Sequence, residues 1–260
     1  MKIGIIGTGN IASYLLEQIK DGNVLNGEIT ALLGRNTEVG ERLASRYDVD
    51  FHTDIQEFLS VPLDMVVEAA TIEAAALYMK DVVASKKNIM ISSVGVFQDI
   101  DLLNEMKELA KLNGVQLSLP SGAIGGLDLL KSANAVNGLK NVRITTRKSP
   151  ASLGLPNEQK EDLLFEGSAL QAIQKFPRNV NVALLLALAG IGAEKTKVRV
   201  IVDPAIKRNT HTIEADGDFG EMQLHIANNP MPTNPKTSYL AALSILEALR
   251  DDSRGVRIGN

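Results

Sequence analysis

Gly7-Thr8-Gly9-Asn10-Ile11-Ala12 carries the spacing G-x-G-x-x-A directly after a short β-branched run, Lys2 to Ile6. In a strand–turn–helix context this spacing has a physical use. The first glycine makes the tight turn, and the second lets backbone approach a pyrophosphate. The small Ala12 lets the helix lie close to the strand, and the helix N-terminus offers N–H donors and a favourable dipole to phosphate. Gly7, Gly9, Asn10 and Ile11 are therefore candidate dinucleotide-binding residues. A site selective for an unphosphorylated ribose places an acid at the end of the second strand, about 20 residues on. Glu28 has the spacing but begins its strand, and the strand ends instead at Gly34-Arg35-Asn36. Arg35 and Asn36, without a carboxylate to repel phosphate, favour NADP over NAD slightly, against the reading of Arg35 as a solvated surface side chain.

Two further turns end strands on the same side of such a sheet, Glu68-Ala69-Ala70 and Ser92-Ser93-Val94-Gly95. Ligands of open α/β sheets lie beyond the carboxyl ends of the strands, so small residues such as Ala69 leave room for a nicotinamide ring. They are equally ordinary turn formers. Of three histidines, His211 lies in Asn209-Thr210-His211-Thr212-Ile213, where a period of two puts it on one face with Ile213. Partial burial there tunes an imidazole for proton transfer, although a hydrogen-bonded sheet histidine without chemical duty fits the pattern as well. His52 and His225 share no metal-ligand spacing with it, and no metal site is expected. Asn179, Asn181, Asn209, Arg147 and Lys148 complete the polar candidates; amides suit a carboxamide and cations suit substrate carboxylates.

These residues need a scaffold. Strand-like Lys2–Ile6, Glu28–Leu33, Met65–Glu68, Asn88–Ser92 and Val115–Leu119 alternate with helical Ile11–Lys20, Thr37–Tyr47, a segment from Thr71 to about Ser85, and Asp101–Leu112. Asn36 and Thr71 read as helix caps. Near-continuous apolar strands between helices predict a parallel sheet covered on both faces, an α/β doubly wound dinucleotide-binding domain of Rossmann type. After Leu119 the pattern changes. A glycine-dense loop from Pro120 to Gly126 leads into a helix, then a strand Val142–Arg147 and a loop-like Ser149–Asp162. Helical Ser168–Lys175 and Val180–Ala189 follow, and then strands Lys197–Val202, Thr210–Glu214 and Glu221–Ile226. This predicts a second α+β domain with a mixed sheet. The division expected is 1–120, joined by a C-terminal helix from about 235–260, against a substrate domain 121–234.

Composition removes other classes. The 260 residues are 45% apolar and 22% charged, ordinary for a folded chain. There are 27 Lys and Arg against 31 Asp and Glu, unclustered, with six phenylalanines, four tyrosines and no tryptophan. That leaves neither a basic footprint nor stacking platforms for nucleic acid. Zero cysteines exclude disulfides, thiolate metal sites and a cysteine nucleophile. The longest apolar stretch, Val182 to Ala193, is too short for a bilayer span. With no signal-peptide pattern at the start, a cytoplasmic protein without membrane contact is expected.

The chain resembles the L-aspartate dehydrogenase family over nearly its whole length. The resemblance rests on Gly7-x-Gly9, Glu68-Ala69-Ala70, the stretch Leu119 to Asp128 (LPSGAIGGLD) and Phe165-Glu166-Gly167-Ser168-Ala169. It continues through Phe176-Pro177-x-Asn179-x-Asn181-Val182-Ala183, Asp203-Pro204, Asn209-x-His211, Gly217-x-Phe219-Gly220 and Asn234-Pro235-Lys236-Thr237-Ser238. It implies NAD(P)-dependent oxidation of L-aspartate to iminoaspartate, which yields oxaloacetate and ammonia or feeds NAD biosynthesis through quinolinate synthase. It implies cofactor contacts at Ala123 and Asn181, a catalytic His211, use of both NAD and NADP, and a homodimer. Other readings are a homoserine dehydrogenase or dihydrodipicolinate reductase relative, and a dinucleotide sensor without turnover.

Overall fold

The computed structural model describes residues 1–20, 27–155, 160–176, 181–232 and 234–251. The chain divides into two compact units: one holds Met1–Pro120 and the last helix from Ile245 onward, the other begins at Ser121 and ends its main span at Ser244.

The first unit is built on strands β1 (Lys2–Ile6), β2 (Glu28–Leu33), β3 (Asp50–His52), β4 (Met65–Glu68), β5 (Asn88–Ile91) and β6 (Leu117–Ser118). They form a six-stranded sheet in the order β3-β2-β1-β4-β5-β6, parallel throughout. β4 is buried along its whole length and β1 after its first residue, as the apolar runs require when both faces are covered. Helices α1 (Asn10–Lys20), α2 (Thr37–Tyr47), α3 (Ile55–Ser60), α4 (Ile72–Ala84) and α5 (Ile100–Asn113) connect them. Asn36, Asp54, Thr71 and Asp99 cap the starts of α2 to α5, their side-chain oxygens accepting backbone N–H groups. Ala12, Leu15, Leu16 and Ile19 of α1 pack on Ile3, Ile5, Val67 and Met90, together with Ile245, Leu246 and Leu249 of the last helix.

Three elements here go beyond the sequence reading, the first of them α3 at Ile55–Ser60. Asp50–His52 is a strand at the sheet's edge, so His52 ends a strand, and a helical turn at Val94–Gln98 follows β5. Three residues are too few for a visible alternation.

The second unit contains α6 (Leu127–Ala133), β7 (Leu139–Lys148), α7 (Pro150–Leu153), β8 (Asp162–Ser168), α8 (Ala169–Lys175), α9 (Asn181–Ala189), β9 (Lys197–Val202), β10 (Asn209–Gly217), β11 (Gly220–Asn228), β12 (Pro230–Met231), β13 (Asn234–Ser238) and the start of α10 (Tyr239–Asp251). Its sheet runs β11-β10-β7-β9-β8 and is mixed: β7 and β9 are parallel, the other pairs antiparallel. Val142, Ile144, Val198, Ile213 and Ala215 form one face and pack on Ala169, Ala172, Ala183, Leu186 and Ala187 of α8 and α9. β8 was not expected; Gly167 and the adjacent Leu163-Leu164-Phe165 blur its period of two. The C-terminal helix starts at Tyr239, later than 235, because Asn234–Ser238 is a strand paired with Pro230–Met231. A residue before proline is pushed to extended backbone, which suits Asn234 to that strand.

Candidate functional site

In the first unit the glycine turn is closed from below. Gly7 has φ +119°, and its N–H donates to the Leu33 carbonyl at 2.8 Å. A Cβ on Gly7 would come within 2.6 Å of the Ala69 carbonyl oxygen, so only glycine passes between β1 and β4. Gly9 is the opposite case. It is exposed, and a Cβ there would meet nothing within 4 Å. The Gly9 carbonyl accepts from Ser13 N–H at 2.9 Å and so starts α1, while Asn10 is exposed and Ile11 half-buried. No acidic residue stands in the first turn of α1. Open space above a glycine, a helix start and no repelling carboxylate fit a pyrophosphate.

Arg35 is exposed just past β2 and makes no ion pair with the described residues. Asn36 caps α2, its Oδ1 accepting from Val39 N–H at 3.1 Å. Ala69 is buried, its N–H donating to the Ile6 carbonyl at 2.9 Å. The sequence reading took the neighbouring turns as small residues that make room; the structure puts a buried carboxyl between them. Glu68 is 0% exposed. Its Oε1 accepts from Ala70 N–H at 2.8 Å and from the Ser93 hydroxyl at 2.9 Å, and its Oε2 from Ser93 N–H at 2.9 Å. One side chain thus ties together the carboxyl ends of β4 and β5. Burial raises its pKa above the ordinary carboxylate value, against the lowering effect of those hydrogen bonds. The signal for it was present: an acid at the end of a strand that is otherwise wholly apolar.

In the second unit His211 sits on β10, buried at 5% exposed, opposite Thr146 of β7 and Ile226 of β11. Its Nδ1 and the Thr146 hydroxyl share a hydrogen bond of 2.9 Å. When Nδ1 is the donor, Nε2 keeps its lone pair and is free to take a proton. Burial, and then the charge of Lys148, push the imidazole down from 6.5 to about 4, so the ring is neutral at neutral pH. Lys148 and Arg147, equal candidates in the sequence, go to opposite faces. Arg147 pairs with Glu161 at 2.6 Å and Asp203 at 3.4 Å, whereas Lys148 shares the face of Thr146 and acts on His211. The glycine-dense loop is anchored to the same sheet: Asn228, 5% exposed, donates from Nδ2 to the Ala123 carbonyl at 2.9 Å. Asn228 was not singled out in the sequence. Asn181 is exposed as the first residue of α9, and Asn179 lies outside the described residues. His225 bonds Thr212 on the other face of the sheet, and His52 lies in the first unit, 4.0 Å from Glu57. Among the described residues no group of three acidic, histidine or cysteine side chains could hold a metal ion, and no helix is long and apolar enough to cross a membrane.

A curated L-aspartate dehydrogenase from Methanosarcina barkeri is 41% identical to the chain, covering all of it and 99% of the relative. The chain belongs to the L-aspartate dehydrogenase family. A second L-aspartate dehydrogenase, from Methanothermobacter thermautotrophicus, is 38% identical over the whole chain and 98% of its own length. The crystal structure of aspartate dehydrogenase from Thermotoga maritima superposes with a TM-score of 0.82 at 33% identity, covering 100% of this chain and 99% of that one. The family model described as aspartate dehydrogenase, C-terminal, matches residues 128–252, and the one described as homoserine dehydrogenase, NAD binding domain, matches 7–120. A homoserine dehydrogenase from Thiobacillus denitrificans shares only the fold, with 14% identity and a TM-score of 0.60. The L-aspartate dehydrogenase family is thus marked in the second unit, where His211 lies, while the first unit is a pyridine-nucleotide-binding domain of a more widely shared kind.

Proposed function

We propose that the protein is an NAD(P)-dependent L-aspartate dehydrogenase in which His211 is the catalytic acid/base. The observation that supports this most directly is the neutral imidazole on β10, buried and oriented by Thr146, in a chain that resembles L-aspartate dehydrogenases from end to end. The backbone of Gly7 and Gly9, the N-terminus of α1 at Asn10 and Ile11, and Asn36 and Ala69 would hold the dinucleotide, with Ala123 and Asn181 as further contacts. When bound, the nicotinamide supplies the hydride acceptor for oxidation and the donor for reduction.

L-Aspartate loses hydride from Cα and a proton from nitrogen to become iminoaspartate. Water then adds at the imine carbon, His211 takes the proton that water releases, and the carbinolamine collapses to oxaloacetate and ammonia, with His211 returning the proton to the leaving nitrogen. In reverse, ammonia adds to oxaloacetate and the same group moves the same protons. Glu68 keeps the turns after β4 and β5 in fixed register.

Arg35, exposed beyond β2 and without an acid beside it, favours NADP. Arg35→Asp is expected to raise the Michaelis constant for NADP and lower that for NAD; an unchanged ratio would remove Arg35 from the 2′-phosphate site. A cytoplasmic homodimer that passes iminoaspartate to quinolinate synthase completes the reading. The deciding experiment follows reduced-nicotinamide absorbance while purified protein meets oxaloacetate and NADPH, or NADH, with and without ammonium. Ammonium-dependent oxidation of the coenzyme is expected. Oxidation that ignores ammonium would mean a simple ketone reductase, and coenzyme binding with no oxidation would mean a sensor.

A further inference from the structure

Glu68 ends β4, the neighbour of β1 in the sheet, and Gly7 opens the turn after β1. The strand order reverses between β1 and β4, and at such a point a ligand lies beyond the carboxyl ends of the strands. Backbone bonds tie the ends of β1, β4 and β5 together here: Ala69 N–H donates to the Ile6 carbonyl at 2.9 Å, and Ser92 N–H to the Glu68 carbonyl at 3.1 Å. A Cβ on Gly7 would lie 3.1 Å from the Ala70 Cβ, so the glycine turn rests on the turn after β4. The Glu68 side chain adds a further tie from beneath. Ala70 is exposed and Ser93 half-buried, while the carboxyl that both reach is wholly buried. Each carboxyl oxygen receives a backbone N–H, that of Ala70 on Oε1 and that of Ser93 on Oε2, and the Ser93 hydroxyl also donates to Oε1. Ser93 stands just before the helical turn Val94–Gln98, where a serine oxygen ordinarily accepts from the turn's own N–H groups. Its side chain makes no such cap and gives its proton to Glu68 instead.

The sheet itself does not ask for an acid at this place. The rest of β4, Met65 to Val67, is apolar and buried, and a buried carboxyl carries a desolvation cost that an apolar side chain of like size avoids. What the acid provides is acceptors that face both turns at once. We infer that Glu68 is a positioning residue for the coenzyme: by clamping the turns after β4 and β5 to each other, beside the glycine turn, it fixes the surface that receives the nicotinamide half. The inference rests on the first unit binding a pyridine nucleotide and on nothing about the reaction that follows. The work of the domain is then divided. The glycine turn and the start of α1 hold the pyrophosphate, and Glu68, without touching the ring, sets how firmly the ring is held.

The test compares wild type with Glu68→Gln and pairs each coenzyme with the same molecule lacking nicotinamide: NADH with ADP-ribose, NADPH with 2′-phospho-ADP-ribose. Because a backbone N–H points at each carboxyl oxygen, a carboxamide turned either way sets its own NH2 group against one of them. A donor of one turn is then left unsatisfied, and the dissociation constants of NADH and NADPH are expected to rise about tenfold. The truncated ligands should bind as they do to wild type. Ser93→Ala removes the hydroxyl donor and keeps both backbone bonds, so it should weaken the coenzymes in the same selective way but less; Ser93→Thr should restore wild-type binding. Calorimetric titration of the purified full chain reads all of these without turnover. Equal losses for coenzyme and truncated ligand would make Glu68 a residue of the fold alone, and unchanged coenzyme constants would remove it from the site; either result overturns the inference. If Glu68→Gln does not fold, Ser93→Ala decides by the same ratio. Wild type that binds coenzyme without ammonium-dependent oxidation would sink the dehydrogenase reading, while the ratio still decides the role of Glu68. Wild type that binds coenzyme no tighter than the truncated ligand would sink this inference alone.

Discussion

Gly7 and Gly9 stand two residues apart at the end of one strand, whereas Thr146, Lys148, His211 and Asn228 come from three strands. The first site is made of backbone: a carbonyl packed under Gly7, open space above Gly9 and the amide end of α1. The second is made of side chains gathered on one face by strand register, and its central group owes its protonation state to burial and to a cation contributed by the next strand. Backbone sites depend on what is absent, a Cβ or an acid, and such absences are local in sequence. Side-chain sites depend on pairing between strands 60 or more positions apart, such as His211 with Thr146. The two should therefore fail in different ways when altered.

The largest difference is expected from His211→Ala. Loss of a general acid/base typically lowers turnover by about 10²–10⁴-fold, and here coenzyme affinity should be retained because the glycine turn belongs to the other unit. Steady-state rates and coenzyme titration on the same preparation check both halves; near-normal turnover would take His211 out of the chemistry.

A pair of glycine variants separates folding from binding within the first site. Gly7→Ala forces a side chain into φ +119° against the Ala69 carbonyl and is expected to destabilise the fold by about 1–3 kcal/mol. Gly9→Val meets no protein atom, so its melting temperature should stay close to wild type while coenzyme affinity drops by about tenfold, 1.4 kcal/mol. Equal effects of the two on stability would contradict the open space seen at Gly9.

The centre of the parallel sheet was readable because β1, β4 and β5 are largely buried and appear as near-continuous apolar runs. The G-x-G-x-x-A turn was readable because each of its residues has a local reason. His211 was half readable: alternation with Ile213 put it on the buried face, but nothing local distinguishes a working imidazole from a structural one. Lys148 and Arg147 are adjacent cations in sequence, and only the pairing of β7 with β10 sends one toward His211 and the other toward Glu161 and Asp203. The anchoring role of Glu68 escaped notice because its partners, Ala70 and Ser93, lie on two separate turns.

Acid stability tests the burial of the second site. An unfolded chain takes up a proton on His211 below pH 6.5, while the folded chain refuses it until about pH 4. Stability is therefore full above pH 6.5 and falls by about 1.4 kcal/mol per pH unit as the medium is acidified toward 4. His211→Asn removes that dependence. Relative to the variant, wild type should lose about 2 kcal/mol between pH 6.5 and pH 5, measured by denaturant unfolding at both values. Parallel curves would mean that His211 is solvated rather than buried.

The smallest effect is expected at Asn228, and it bears on how a backbone loop comes to depend on a side chain. The carboxamide donates to the Ala123 carbonyl, in the glycine-dense segment where Gly122 and Gly126 have positive φ and the Gly122 N–H donates to the Ser244 hydroxyl at 3.0 Å. Asn228→Ala removes one hydrogen bond and leaves a carbonyl to find water, a loss of about 1 kcal/mol in global stability. Asn228→Asp is the sharper variant, because it keeps size but replaces the donor with an acceptor facing an acceptor. If the anchor matters to function, Asn228→Asp should raise the coenzyme Michaelis constant more than Asn228→Ala does, since repulsion displaces Ala123 where truncation only frees it. If the two variants match in coenzyme kinetics while differing in stability, Ala123 is held for the fold alone and is not a coenzyme contact.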